Sequence, residues 1–175
     1  MLNVNRILAL ALALLLTPAA ALAGPKAIVF PFDLIDESQQ QYEIGVMPQG
    51  VSDEEKRRLA LITEELTKLL KADGRYDIVD TAPIAQEIDA KSPIYKCNGC
   101  EDGLAKKAGA EVAFIGTVRK ASDVLFTVSV YIRDVGQEKV TRQASSEIYG
   151  NTDAMWLRSV RYIVQKRLFP EGASQ

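Results

Sequence analysis

The sequence contains no histidine. That removes the one side chain whose ordinary charge changes between pH 5 and 8. A Ser-His-Asp triad, a Cys-His pair and a His-ligated metal are therefore impossible within one chain. Cysteine is nearly as scarce, with only Cys97 and Cys100. A zinc site would need two further ligands, and there is no third Cys to supply one. Haem attachment fails too, because Glu101 stands where C-x-x-C-H requires histidine. No cofactor and no metal is implied. Beyond the N-terminus, no apolar run approaches the roughly 20 residues of a membrane-spanning helix. Charge is almost balanced, 21 Lys and Arg against 23 Asp and Glu, so nothing pulls the chain as a whole towards nucleic acid.

What is present begins with an export signal. Arg6 is the only charge in the first two dozen residues, and it precedes an apolar stretch from Ile7 to Leu16. Thr17 and Pro18 break that run, and Ala21-Leu22-Ala23 supplies the small-x-small pattern of a signal peptidase site. A short positive region, an apolar core of about 7–15 residues and an A-x-A site define a secretory signal. Residues 1–23 read as a cleaved signal peptide and 24–175 as a single mildly acidic domain, periplasmic or secreted. No Cys lies near the cleavage site to carry a lipid anchor.

The mature chain reads as an α/β (α+β) domain in the order β-α-β-α-α-β-β-β-α, one mixed sheet with helices packed on it. Lys26–Asp36 is a first strand, apolar on both faces and so central, with a bulge or strand end at Pro31. Ser52-Asp-Glu-Glu55 is a capping box. It opens a helix whose Leu59, Ile62, Leu66 and Leu69 form one apolar stripe, and Gly74 ends it. Arg75–Asp80 is a short strand. Thr81–Ala90 is a helix with Pro83 in its first turn and Ile84, Ala85 and Ile88 inward. A short helix follows from about Glu101 to Ala108. Val112–Arg119, Val124–Arg133 and Lys139–Tyr149 form an antiparallel meander, the last at an edge. Within it Val124, Phe126, Val128, Val130 and Ile132 alternate onto one face. Gly150-Asn-Thr-Asp153 caps a final helix running to Phe169.

Four groups of residues are candidates for function. In an oxidising compartment Cys97 and Cys100 should pair. The pair serves either as a structural staple or as a redox dithiol near a helix N-terminus. Against the redox reading, Asn98-Gly99 favours a turn, the helix starts at or after Cys100, and Glu101 and Asp102 oppose a thiolate. Tyr42, Ile44, Val46 and Met47 lie on a polar loop and either form a partner-contact surface or fold back onto the domain. Asp33, Asp36, Glu37, Asp77 and Asp80 sit at or near strand ends, as solvated ends or as a carboxylate site. Arg158, Arg161, Lys166 and Arg167 make the last helix basic, either for an anionic surface or as a solvated face near a helix C-terminus.

Two resemblances follow from these residues. The string Gly74-Arg-Tyr-Asp-Ile-Val-Asp80 after a capped helix, then Ala105-Lys-Lys-Ala-Gly109-Ala110 and a strand with Gly116-Thr-Val118, is similar to the N-terminal domain of TolB. It is also similar to the curli secretion lipoprotein CsgG and to the outer-membrane activators of penicillin-binding proteins. The likeness spans about residues 26–149 and implies the fold. A closer resemblance is to small secreted bacterial proteins of unknown function, carried by Cys97-Asn-Gly-Cys100, the Ala-Gly-Ala segment, Gly150-Asn-Thr-Asp153 and Trp156. Members of that family lie beside quinoprotein alcohol dehydrogenase genes in some bacteria.

The resemblances imply envelope proteins that bind other proteins. Together with the missing nucleophile motifs, they lead to the expectation of a non-enzymatic accessory protein. Its partner would be another periplasmic or outer-membrane-associated protein. A thiol-disulfide protein using Cys97 is the alternative, and a carboxylate-based hydrolase the residual one.

Overall fold

A computed structural model describes residues 24–38 and 50–170. Residues 1–23, read above as a signal peptide, and Tyr42, Ile44, Val46 and Met47 lie outside the described residues. The first strand expected from the sequence is two: β1 (Lys26–Val29) and β2 (Asp33–Asp36). They are separated at Phe30-Pro31-Phe32, where proline has no N–H to give to a ladder. Helix α1 (Asp53–Asp73) crosses to β3 (Asp77–Ile78), which is shorter than the six residues expected. A 3₁₀ turn at Ala82–Ile84 leads into α2 (Ala85–Lys91), and a second at Ile94–Lys96 leads to α3 (Cys100–Lys107). The meander is β4 (Val112–Lys120), β5 (Leu125–Asp134) and β6 (Lys139–Tyr149). Helix α4 (Asp153–Tyr162) then continues as a π-helical turn to Leu168, so the helical stretch stops one residue short of Phe169.

The six strands form one mixed sheet in the order β3-β1-β4-β5-β6, with β2 beside β4 in line with β1. β1 pairs in parallel with β3 and β4, and β2 in parallel with β4. β4-β5-β6 is antiparallel throughout. Because Val29 faces Phe114 and Asp33 faces Thr117, four steps on one strand match three on the other. The extra residue is the bulge that Pro31 requires.

Strand alternation feeds two cores. One face presents Ala27, Val29, Phe114, Val118, Phe126 and Val128 to α1 and α4, where Ile62, Leu66, Leu70, Trp156 and Val160 meet them. The other face presents Ile28, Phe30, Ala113 and Ile115 to Ile84, Ile88, Leu104 and Ala105. The sheet therefore lies between α1 and α4 on one side and α2 and α3 on the other. Three details differ from the periodicity. Leu70 rather than Leu69 is fully buried in α1, because two stripes at 3.6 residues per turn diverge over twenty residues. Ala85 faces solvent. Val124 is exposed because β5 starts one residue later, after a turn.

The capping box of α1 is complete. Ser52 accepts from the Glu55 N–H, and Glu55 accepts from the Ser52 N–H at 2.9 Å. Gly74 ends the helix at φ 75°, a left-handed conformation that glycine adopts without cost. α1 and α4 are fastened by the segment Gly150-Asn-Thr-Asp153. Asp153 accepts from Arg57 Nη2 and Nη1 at 2.8 and 2.9 Å and from Arg58 Nε at 3.0 Å. Asn151 Oδ1 accepts Arg58 Nη1 and Trp156 Nε1, each at 3.1 Å. Thr152 caps α4 by accepting the Met155 N–H. The motif is thus a fastening between two helices and the buried Trp156.

Two predictions follow. A Cβ on Gly116 of β4 would stand 2.4 Å from the Phe32 ring. Gly116→Ala should lower stability by about 1–3 kcal/mol, the usual cost of overpacking, read from a denaturant titration. The Arg57 and Arg58 hydrogen bonds hold the Asp153 carboxyl down at about 2. Its folded value lies below its unfolded one, so its stabilisation is present at neutral pH and is lost as pH falls from about 4 through about 2. Asp153→Asn should lower stability at pH 7 and flatten the acid limb of a stability-against-pH curve. An unchanged acid limb would show that the carboxylate has no such role.

Candidate functional site

Helices α2 and α3 cover only part of the second face. Their apolar side chains lie over β1 and the first half of β4. Beyond them the register sets polar residues side by side across the strands. Asp33, Thr117, Ser129 and Ser145 form one row, and Ile35, Arg119, Thr127 and Glu147 the next. Ser129 and Ser145 share a hydrogen bond at 2.9 Å. The 3₁₀ turn at Ile94–Lys96 reaches the first row, where the Tyr95 N–H donates to Asp33 at 3.2 Å and Thr117 and Ser129 are buried, whereas Arg119 and Glu147 of the second row are exposed. Antiparallel strands with one covered and one open face read as such an alternation.

The open half is bordered by the disulfide loop. Cys97 and Cys100 lie at disulfide distance, with sulfurs 2.03 Å apart. Asn98 and Gly99 both take positive φ, at 58° and 102°, which is why Asn-Gly forms this turn. α3 starts at Cys100 itself. Glu101 Oε2 caps the loop by accepting the Gly99 N–H at 3.0 Å and lies 3.3 Å from Cys97 Sγ. A carboxylate in that position raises the cost of a thiolate. Cys97, Cys100 and Glu101 also bring three potential ligand atoms within 4.8 Å, but the disulfide occupies both sulfurs.

Asp102, expected to oppose a thiolate beside Glu101, turns the other way. It is buried and grips Arg133 of β5 with two bonds, 2.7 and 2.6 Å. Those bonds, offset in part by burial, raise the Arg133 pKa above its ordinary value. This pair ties α3 to the sheet and forms the floor of a groove of about 480 Å³, lined by Ile94, Tyr95, Tyr131 and Glu138 among others. The sequence carried one signal for it: an arginine on a strand whose alternation leaves that position half buried.

The acidic candidates do not converge. Asp33 and Asp36 are three residues apart on β2 and so point to opposite faces. Burial raises the Asp33 carboxyl pKa, opposed by hydrogen bonds from the Tyr95 and Ile94 backbone. Asp36 accepts Ser38 N and Oγ. Glu37 pairs with Arg119 at 2.7 Å, and Asp80 accepts the Ala82 N–H at 3.0 Å. Asp77 lies on β3, paired with Lys26 of β1. Of the basic candidates, Arg161 is bound to Glu65 of α1. Arg158, Lys166 and Arg167 face solvent.

No curated protein matches the sequence. Among solved structures, LpoB from Escherichia coli is similar, with a TM-score of 0.50 at 12% identity. The match covers 74% of this chain and 58% of that one. The LpoB C-terminal domain from Salmonella enterica gives 0.49 at 13% identity, covering 75% and 87%. A lipoprotein from Neisseria meningitidis gives 0.50 at 11% identity, covering 83% and 99%. At these identities the likeness is one of fold. No described helix is long and apolar enough to cross a membrane. Residues 25–168 match the family DUF3280, described as a protein of unknown function (DUF2380), and the chain belongs to that family.

Proposed function

We propose that this chain is an exported accessory protein that docks onto another protein of the cell envelope through the open half of its second sheet face. The observation that carries this reading is the pairing of a polar strand row, with Arg119 and Glu147 exposed, with a groove whose wall is fixed by the Cys97–Cys100 loop and whose floor is fixed by Asp102–Arg133. A surface held in place before binding loses little entropy when a partner docks. Tyr95 and Tyr131 supply aromatic contact area in the groove, and Arg119, Thr127 and Glu147 supply a polar rim. The residues that distinguish the family in sequence, Asn98-Gly99 and Asn151-Thr-Asp153, hold structure together in every contact described above. The family resemblance makes a quinoprotein alcohol dehydrogenase the first partner to try.

A photoreactive side chain at Lys96, on the loop, should crosslink one discrete periplasmic protein. The same probe at Lys68, exposed on α1 behind the sheet, should not. No product at Lys96, or equal products at both positions, would overturn the docking face.

The thiol-disulfide reading is separable from this one. A structural disulfide should show a reduction potential below about −300 mV, whereas a catalytic pair lies well above it. With Glu101 beside Cys97, the low value is expected. Cys97→Ser/Cys100→Ser should then keep the Lys96 crosslink while losing stability near the lower end of about 2–4 kcal/mol, since the closed loop is short.

A further inference from the structure

Strand β3 leaves the sheet early, and the space it vacates is a cavity. Its last bond to β1 runs from the Val79 N–H to the Ala27 carbonyl at 2.9 Å. Beyond that point the chain turns away at Asp80 and Thr81, while β1 itself ends at Val29, before Pro31. Helix α1 passes over the gap with one edge, on which Thr63, Thr67 and Lys71 recur every four residues. Together these parts enclose about 270 Å³. The cavity lies on the α1 side of the sheet and shares no lining residue with the groove beside the disulfide loop. This proposal and the docking reading can therefore fail separately.

The cavity has an apolar wall and a polar rim. Val29 and Ile78 form the wall, both packed in the first core. Around the rim the hydrogen-bonding capacity is unevenly used. The Thr63 hydroxyl is engaged twice, donating to the Leu59 carbonyl at 2.8 Å and accepting the Phe32 N–H at 3.0 Å. The Thr67 hydroxyl donates to the Thr63 carbonyl at 2.9 Å, and among the described residues no donor meets its oxygen. Asp80 accepts the Ala82 N–H through one oxygen at 3.0 Å, and its second oxygen has no partner among the described residues. Lys71 makes neither a hydrogen bond nor an ion pair with a described residue. A cation and a carboxylate thus line one small cavity without meeting.

We propose that this cavity binds a small zwitterion, a molecule with one free amino group and one free carboxylate, of the size of an amino acid or a dipeptide. Its carboxylate meets the Lys71 ammonium. Its own ammonium, with three donors, meets Asp80 and the Thr67 oxygen. A ligand with a single charge satisfies one of these groups and leaves the other unanswered, so the lining selects opposite charges on one molecule. Size is limited as well, since the volume lies just below the roughly 300 Å³ at which pockets for larger ligands begin. The wall of Val29 and Ile78 favours a short apolar side chain, because a polar one would lose its water there without a partner. Lys71 and Asp80 are both exposed, so water screens each contact and the affinity is modest.

The test is an amide NMR titration of the exported chain with L-alanine and, separately, with L-alanyl-L-alanine, which carry the same two charges at different spacing. Saturable shifts are expected at residues 67–71 and 79–81, and the tighter of the two compounds gives the spacing that the site holds. Acetate and methylamine, each with one of the charges, should bind more than about tenfold more weakly. Lys71→Met and Asp80→Asn should each raise the dissociation constant more than about tenfold. Circular dichroism should be unchanged, since Lys71 is exposed and asparagine keeps an oxygen for the Ala82 N–H. Lys139→Met, on β6 at the other edge of the sheet, should leave the constant unaltered. Absence of saturable shifts with both compounds would overturn the proposal. So would acetate binding as tightly as the zwitterions, or a constant insensitive to both cavity variants.

Discussion

Strand β4 is buried on both faces and paired on both edges, and the rest of the molecule is arranged around that. Phe114 and Val118 reach one core while Ala113 and Ile115 reach the other. Its edges hold β1 and β2 on one side and β5 on the other. A strand so enclosed leaves no room for error at any position. Gly116 exists in that setting because the Phe32 ring occupies the space where a side chain would stand. The bulge at Pro31 has the same origin, since it brings Phe32 back into register with the core after an unpaired proline.

From β4 outward the two faces have different fates. The first is closed by α1 and α4, and the joint between them is electrostatic as well as apolar. Arg57 and Arg58 meet Asp153 beside the indole N–H of Trp156, which Asn151 satisfies. Burying a large aromatic with its N–H paired avoids the penalty of an orphan donor. The second face is closed only in part. Its covered section is held by an ion pair and a disulfide loop, and its uncovered section is polar. A fold resembling LpoB thus presents two surfaces that nothing in the described chain covers, the second polar row of this face and a strand edge.

Much of this was legible in the linear sequence because local rules carried it. The capping box at Ser52–Glu55, the left-handed Gly74, the Asn98-Gly99 turn and the clean alternation of β5 each depend on residues within a few positions of one another. The meander and its edge strand followed from short links. Limits appeared where a decision was not local. Arg75–Asp80 reads as six residues of strand, but only Asp77 and Ile78 find a partner in β1. Leu69 and Leu70 are equally apolar, and only the angle at which α1 meets the sheet selects Leu70. Asp102 looks like a neighbour of the cysteines, yet helix geometry turns it towards Arg133, 31 residues away.

What the sequence determined by itself was the class of chemistry open to this protein. With no histidine and one cysteine pair, the side chains available for acid-base or metal chemistry are few, and composition is independent of folding. It also determined the order of elements, because hydrophobic period and capping act over one or two turns. The tertiary structure alone decided which residues meet. Asp33 and Asp36 were parted by the two-residue period of a strand, and Asn151 was joined to Arg58 across 93 positions. The open half of the second face and the bare edge of β6 belong to the same category. Whether a polar strand face or an edge is covered depends on where distant helices come to rest, and no local pattern records that.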